Sequence, residues 1–419
     1  MWDVIIIGGG ASGMMAAATA GSLGKKVLIL EKNQELGEKL KISGGGRCNV
    51  TNAEEDVKIL LKNYGEAEQY LYTPFSEFGN QETFKYFEKQ NLVLVVQARD
   101  RAFPHTEKAS DVYNALLWDM QKYKVEIKSK VTVSKMVSIV DAAGKNIIEK
   151  IITNKGEFFA KSFILATGGV SHPETGSTGD GFRFLKELGH TVKDPTPSIV
   201  PIKVSDSWVH ALSGISAKDA KITFFLNDKK QFVKKGDILF THFGLSGPLI
   251  LNSASKVGVL LQSGEVKAYI DLYPNKDHRE LDDLLINIFD NNKNKLFKNI
   301  LNEIAPNGMA KGIETLLESS ANLKINLETK VHSIQKQDRR DLMQLLKALP
   351  INVTSLMGYD RAVVADGGVI LDEIDMKNMR SKIHSNLYII GDLLNINKPS
   401  GGFSLQLCWT TGFLAGTNS

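Results

Sequence analysis

The chain has 419 residues, 42% of them hydrophobic, and its 51 lysines and arginines nearly balance 47 aspartates and glutamates for a formal charge of +4. That length exceeds the usual single-domain limit and predicts two or three domains with enough apolar material for packed cores. The balanced, scattered charge argues against nucleic acid as a partner, and two cysteines, Cys48 and Cys408, exclude a disulfide framework and lack metal-ligand spacing.

The first thirty-one residues organise the rest. Val4-Ile5-Ile6-Ile7 is a continuous apolar run, as expected of a parallel strand covered on both faces, and it runs directly into Gly8-Gly9-Gly10-Ala11-Ser12-Gly13. Ala11 to Leu23 reads as a helix stopped by Gly24, and Val27-Leu28-Ile29-Leu30 is a second buried strand that ends at Glu31. The physics of each residue type points to a dinucleotide. Gly8 allows the tight turn, Gly10 lets backbone approach a diphosphate, Gly13 lets the helix pack on the strands, and Glu31 can accept both hydroxyls of an adenosine ribose. A 2′-phosphate would be repelled there. Only Met1-Trp2-Asp3 precedes this unit, so no basic leader is expected, and the longest apolar stretch, Pro248 to Leu261, contains Asn252 and Lys256. A soluble cytoplasmic chain with no membrane partner is the expectation.

From Lys32 to Asn52 the sequence is a loop carrying Ser43-Gly44-Gly45-Gly46-Arg47-Cys48. Three successive glycines before an arginine suggest backbone held against something flat or phosphorylated. Cys48 reads as a small buried packing residue, with a thiolate activated by the neighbouring cation as the alternative. Helices follow around Val57–Leu61, Phe75–Glu77, Thr83–Gln90 and Ala109–Gln121, with Asp100–His105 expected as a loop in which Arg101 and His105 are substrate-facing or merely exposed. Val131–Val140, Ile147–Thr153 and Phe158-Phe159 form a meander that feeds the buried strand Phe163-Ile164-Leu165-Ala166. That strand ends in Thr167-Gly168-Gly169, a second place for backbone to lie on a ligand, and Thr175 to Gly181 opens a helix through Leu188.

Pro195, Pro197 and Pro201 mark a change of character. Strands at Ile199–Val204, Ala220–Leu226, Ile238–Phe240 and Val266–Leu272 suggest a small barrel or sandwich. Lys229-Lys230 and Lys234-Lys235 read as a solvated hairpin. Thr241–Pro248 is expected as a glycine-punctuated turn in which His242 is more readily structural than acid or base. Leu281–Phe289, Lys295–Ile304, Lys311–Ser319 and Arg339–Leu349 read as helices. From about Ser355 the α/β character resumes, with the strand Asn386–Ile390 ending in Gly391-Asp392, and Ser400-Gly401-Gly402-Phe403 leading into a last helix. The two ends of the chain are therefore expected to share one sheet.

Asp3 to Gly13, Lys41 to Asn52, Arg101-Ala102-Phe103-Pro104, Ala166 to Gly169, Thr241 to Pro248 and Ile390-Gly391-Asp392 together resemble the BaiN/YhiN-like family of bacterial FAD-binding proteins, which includes aminoacetone oxidase-like enzymes. The resemblance implies an α/β, Rossmann-like two-dinucleotide-binding-domain flavoprotein fold with an inserted β-barrel and helical domain. On that basis residues 1–194 and 355–419 form the FAD-binding domain, 195–275 and 325–354 the barrel, and 276–324 the helical subdomain, the insert shaping a substrate pocket. It implies noncovalent FAD held by Gly8, Gly10, Ala11, Ser12, Gly13, Glu31, Lys32, Ser43, Gly44, Gly45, Gly46, Arg47, Cys48, Thr167, Gly168, Gly391, Asp392, Gly402 and Phe403, with the Ser43–Arg47 loop beside the isoalloxazine. Asp392 stands where the family tends to show an acid and suits a ribitol hydroxyl. Asn395, Lys398 and Ser404 replace the more usual aspartate, glycine and asparagine, which bears on substrate more than on cofactor.

A flavin reduced at N5 gains negative charge near N1 and C2=O, so Arg47 is the expected catalytic cation, with the N-terminus of the last helix the other candidate and a structural ion pair the alternative for Arg47. One complete nucleotide fingerprint and no CxxC exclude disulfide-reductase chemistry. The expected activity is FAD-dependent reduction of a small organic substrate, such as a conjugated enone, with NAD(P)H as transient donor. Oxidation of a small amine such as aminoacetone, or a noncatalytic FAD-binding sensor, are the other readings. Substrate, donor and oligomeric state are not legible in the sequence.

Overall fold

A computed structural model describes residues 1–319, 325–360, 362 and 365–419, and the chain divides into two compact units, Met1–Thr196 with Val363–Ser419, and Pro197–Ala362. Residues 320–324 of the expected helical subdomain lie outside the described residues.

In the first unit the apolar runs become a parallel sheet, because strands covered on both faces carry side chains that no alternation could expose. β1 (Trp2–Ile7), β2 (Val27–Leu30), β3 (Glu126–Lys128), β4 (Ala160–Leu165) and β5 (Leu387–Ile389) belong to a seven-stranded sheet. Its order is Ile374–Asp375, Arg380–Ser381, β5, β4, β1, β2, β3. The pairs among β5, β4, β1, β2 and β3 are all parallel, while Arg380–Ser381 runs antiparallel to β5. Since β5 comes from the C-terminal segment, the two ends of the chain do share one sheet.

Two helices without a charged side chain, α1 (Ala11–Ser22) and α2 (Phe403–Asn418), pack against one another along a seam of small residues. A Cβ at Gly412 would lie 2.6 Å from the Ser12 carbonyl oxygen, and one at Gly416 would lie 2.5 Å from that of Ala16. Any larger residue would push the helices apart.

The segment around Arg101 differs from expectation. Arg101–Pro104 is a strand, central in a three-stranded sheet between Thr51–Asn52 and Leu94–Gln97. Four residues ending in proline are too short to show a period; pairing from both sides makes the strand. The meander is as read, at Val133–Val140, Asn146–Thr153 and Gly156–Phe158.

The second unit contains a closed six-stranded barrel, ordered Ile202–Val204, Gly244–Ser246, Lys229–Thr241, Ser216–Leu226, Val266–Asp271, Leu349–Leu356. Part of the expected Thr241–Pro248 turn is thus a strand. Gly244 makes this possible: its φ is +148° and a Cβ there would meet the Ile202 carbonyl oxygen at 2.3 Å, so only glycine lets the two backbones pair. Leu349, expected to end a helix, begins the closing strand, because the helix Lys336–Lys347 stops two residues earlier. Ile222, Phe224, Ile238, Phe240, Ala268 and Ile351 are buried and share one core with helices His278–Asn291 and Lys336–Lys347.

A buried polar cluster in the first unit makes stability depend on pH. Ser381 Oγ accepts the backbone N–H of His384 at 2.9 Å, so its proton is free for His190 Nε2, also at 2.9 Å. His190 Nδ1 then donates to Glu373 at 2.8 Å, which makes the ring neutral. Burial lowers the His190 pKa below its usual 6.5 against the opposing pull of Glu373, and burial with the nearby His190 lowers that of His384. An unfolded chain therefore takes up protons first, and stability present above 6.5 is lost as pH falls below it. Thermal melts between pH 7 and 5 should show the melting temperature dropping, and His190→Gln, which keeps both hydrogen-bonding roles without titrating, should flatten that slope. An unaltered slope in the variant would assign the effect elsewhere.

Candidate active site

The turn between β1 and α1 is built from missing side chains. Gly8 has φ +102°, and a Cβ on it would lie 2.5 Å from the Ala166 carbonyl oxygen. A Cβ on Gly13 would lie 2.0 Å from the Gly8 carbonyl oxygen. These two glycines join β1, β4 and α1. Gly10 differs, since a Cβ there would meet nothing within 4 Å. It leaves open space at the start of α1, where no side chain caps the helix and no acid occupies the first turn. Ala11 and Ser12 open that helix, and the uncapped N–H groups form an anion site.

Glu31 follows β2 and is buried. Its two oxygens accept from Gly9 N and Asn33 N, each at 2.8 Å. Each oxygen keeps a second acceptor position, as ribose hydroxyls need. Lys32 is committed elsewhere: its ammonium donates to Thr178 Oγ1 at 2.5 Å and pairs with Asp180 at 2.8 Å, tying the post-β2 loop to the loop before the helix Asp180–Glu187.

Ser43–Gly46 forms a tight turn after a short helix, and Gly44, Gly45, Gly46 and Cys48 have φ of +58°, +68°, +85° and +58°. Cys48 is fully buried, and burial pushes its thiol up to about 12. A thiol so placed stays protonated and is no nucleophile. Arg47 stacks its guanidinium 4.5 Å above the Phe103 ring, donates to Gln97 Oε1 at 2.8 Å and pairs with Glu107. Gln97 and Arg47 together hold the Glu107 carboxyl below its usual range. The Arg47 Nε is buried without a hydrogen-bond partner among the described residues. Arg101 sits 5.7 Å from the same Phe103 ring and donates from Nε to Ala98 O at 3.0 Å.

The end of β4 and the segment after β5 meet the start of α1. Gly168 has φ +72°, with Ser177 Oγ 3.1 Å from where its Cβ would be. Gly391 has φ +67° and would bring a Cβ within 2.7 Å of Ser12 Oγ. Gly402, at φ +101°, precedes α2 and packs on Thr51; Phe403 meets Tyr64 edge to face at 5.8 Å. Asp392 is mostly buried. Burial alone would raise its pKa, but Lys398 and Lys39 outweigh it and hold the carboxyl well below the usual range. Lys398 Nζ lies 3.1 Å from Asp392 Oδ1 as its ion-pair partner, and among the described residues neither Oδ1 nor the buried Thr167 Oγ1 has a further hydrogen-bond partner.

The structure thus gathers Ala11, Ser12, Gly13, Gly391 and Asp392 at the C-terminal ends of the central strands, with Thr167-Gly168 beside them, whereas Lys32 and Phe403 are engaged in packing and pairing of their own. Sequence reasoning missed Lys39, whose ammonium is 2.5 Å from Ser171 Oγ and 3.3 Å from Asp392 Oδ2. It lies 353 positions from its carboxylate, and nothing local marks it. The uncapped helix start, the space at Gly10 and the orphaned oxygens of Asp392 and Thr167 fit a dinucleotide with polyol hydroxyls, as FAD has. No group of three or more metal-ligating side chains occurs among the described residues, and no helix there is long and apolar enough to cross a membrane.

Comparison with known proteins agrees. The profile of the family described as HI0933-like protein Rossmann domain matches residues 2–418. A 3-dehydro-bile acid delta(4,6)-reductase of Clostridium scindens is 29% identical over 98% of this chain and 97% of its own length. A ribosomal RNA dihydrouridine synthase of Haemophilus influenzae is 28% identical over 98% of this chain and 96% of its own. Among solved structures, a 3-ketosteroid delta1-dehydrogenase from Sterolibacterium denitrificans shares the fold with a TM-score of 0.54 at 13% identity, over 99% of this chain and 98% of that one.

Arg47→Ala should keep most of the FAD, lower the flavin's reduction potential and slow its reduction by on the order of tenfold. Glu107→Gln, which releases the guanidinium from its partner, should move the potential the other way. Redox titration of both variants checks this, and potentials equal to wild type would remove Arg47 from the role.

Proposed function

This chain belongs to the HI0933-like family and is a FAD-dependent oxidoreductase; on that premise we propose that it uses NAD(P)H to saturate a carbon–carbon double bond conjugated with a carbonyl in a small organic substrate. Bound FAD would supply the two-electron relay, taking and giving hydride at N5. The balance is simple: hydride goes to the carbon β to the carbonyl, a proton to the α carbon, and NAD(P)H leaves as NAD(P)+.

The observation that carries this reading is the cradle at the start of α1: an uncapped helix start, open space at Gly10 and the buried Glu31 carboxylate, which suit a dinucleotide cofactor of hydride transfer. Cys48 and Cys408 are both buried free thiols whose pKa burial pushes up to about 12. The chain's own residues would bind and orient: the start of α1 the diphosphate, Glu31 the ribose, Asp392 Oδ1 and Thr167 Oγ1 the ribitol hydroxyls. The names of the relatives support the bond class. A delta(4,6)-reductase of a 3-dehydro-bile acid and a synthase of dihydrouridine each act on a ring double bond conjugated with a carbonyl. The second name favours one alternative, a uracil ring in ribosomal RNA, which asks for the same chemistry at a larger substrate.

Anaerobic mixing separates the readings. NADH or NADPH should bleach the yellow flavin band, and an α,β-unsaturated ketone should restore it with a saturated product. Recovery only with a ribosomal RNA transcript would select the uracil reading, and bleaching by aminoacetone alone would replace reduction with amine oxidation.

A further inference from the structure

Lys39, Asp392 and Lys398 form a cluster whose charges do not cancel. Asp392 pairs with Lys398 at 3.1 Å and with Lys39 at 3.3 Å, so two ammonium groups share one carboxylate. The Lys398 side chain is 1% exposed and that of Asp392 13%, while that of Lys39 is 28% exposed, so water reaches the surplus mainly from the Lys39 side. Among the described residues, Lys398 Nζ also donates to the carbonyl oxygen of Ile396, at 3.3 Å. Two cations on one largely buried carboxylate leave a net positive charge that an anion beside them would offset.

The position says which anion. Gly391, next to Asp392, approaches Ser12 so closely that a Cβ would lie 2.7 Å from its hydroxyl, and Gly169 would bring a Cβ within 3.5 Å of the Asp392 carbonyl oxygen. The same Cβ on Gly391 would lie 3.8 Å from Cys408 Sγ, so Ser12, Gly391 and Cys408 are neighbours. The surplus charge therefore sits at the uncapped start of α1, where the open space at Gly10 and the free N–H groups already form an anion site. We propose that Lys398, with Lys39, is a buried cationic grip for the FAD diphosphate, acting through charge where the helix acts through backbone N–H groups. This rests on the reading of the cradle as a FAD site and adds residues to it.

The proposal makes apo and loaded protein respond oppositely. In Lys398→Met the Asp392 carboxylate keeps Lys39, so no buried charge is stranded; the apo chain, relieved of its surplus, should melt no lower than wild type. FAD affinity should nevertheless fall about tenfold or more, and its salt dependence should weaken, since charge-assisted contacts to a phosphate are lost. Lys398→Arg should restore most of both, and affinity for riboflavin, which has no phosphate, should be the same in all. Titration of flavin fluorescence into apo protein at low and high salt, with apo melting curves, reads each of these. Lys39→Met, at a partly exposed position, gives a second and milder test of the same loss. Destabilised apo Lys398→Met, or equal loss for riboflavin and FAD, would make Lys398 a structural partner of Asp392 and overturn the grip. A wild-type chain that binds no FAD would overturn both this and the cofactor reading, while failure of NAD(P)H to bleach bound FAD would sink the reductase alone.

Discussion

The contact on which the first unit depends is the one between the Gly13 Cα and the Gly8 carbonyl, where a single added carbon would lie at 2.0 Å. Because nothing projects there, α1 starts directly off the end of β1 and its first N–H groups point into the space left at Gly10. The same absence of side chains that packs the turn also leaves it chemically unsatisfied. A helix start with no capping side chain and no acid in its first turn is a partial positive charge awaiting a partner.

That demand is answered from the far end of the sequence. α2 can lie on α1 only because Gly412 and Gly416 present no side chain to the Ser12 and Ala16 carbonyls, and β5 enters the sheet beside β4. The two arrangements together carry Gly391 and Asp392 to the start of α1. A ligand held by both ends would stabilise the fold in which they meet, coupling its binding to the docking of the C-terminal segment.

How much of this could be read beforehand depended on range. The βαβ unit was legible because strand, glycine turn, helix and acid fall within thirty-one residues and each obeys a local rule. The glycine loop at 43–46 was legible as unusual backbone, and its positive φ values explain why glycines stand there. Arg101–Pro104 and Gly244–Ser246 were not legible as strands, because each is too short to display a period and owes its conformation to neighbours distant in sequence. The Arg47–Glu107 pair and the stacking on Phe103 were hidden for the same reason: sixty positions separate the charges, and only the hairpin that folds back brings them together.

Charge was the least legible property, and the reason is general. A total of +4 over the whole chain describes the average, whereas the folded chain sets two ammonium groups, one of them buried, on a single largely buried carboxylate. Lys398 looks in sequence like one scattered lysine among many; burial turns it into a commitment, because an exposed ammonium is worth little and a buried one is costly unless matched. Lys39 and Lys398 reach the same carboxylate from opposite ends of the chain, beside a helix start that is itself positive. Three sources of positive potential converging on one space, with one acid among them, are poorly balanced for an empty protein and well balanced for one that holds a doubly charged diphosphate.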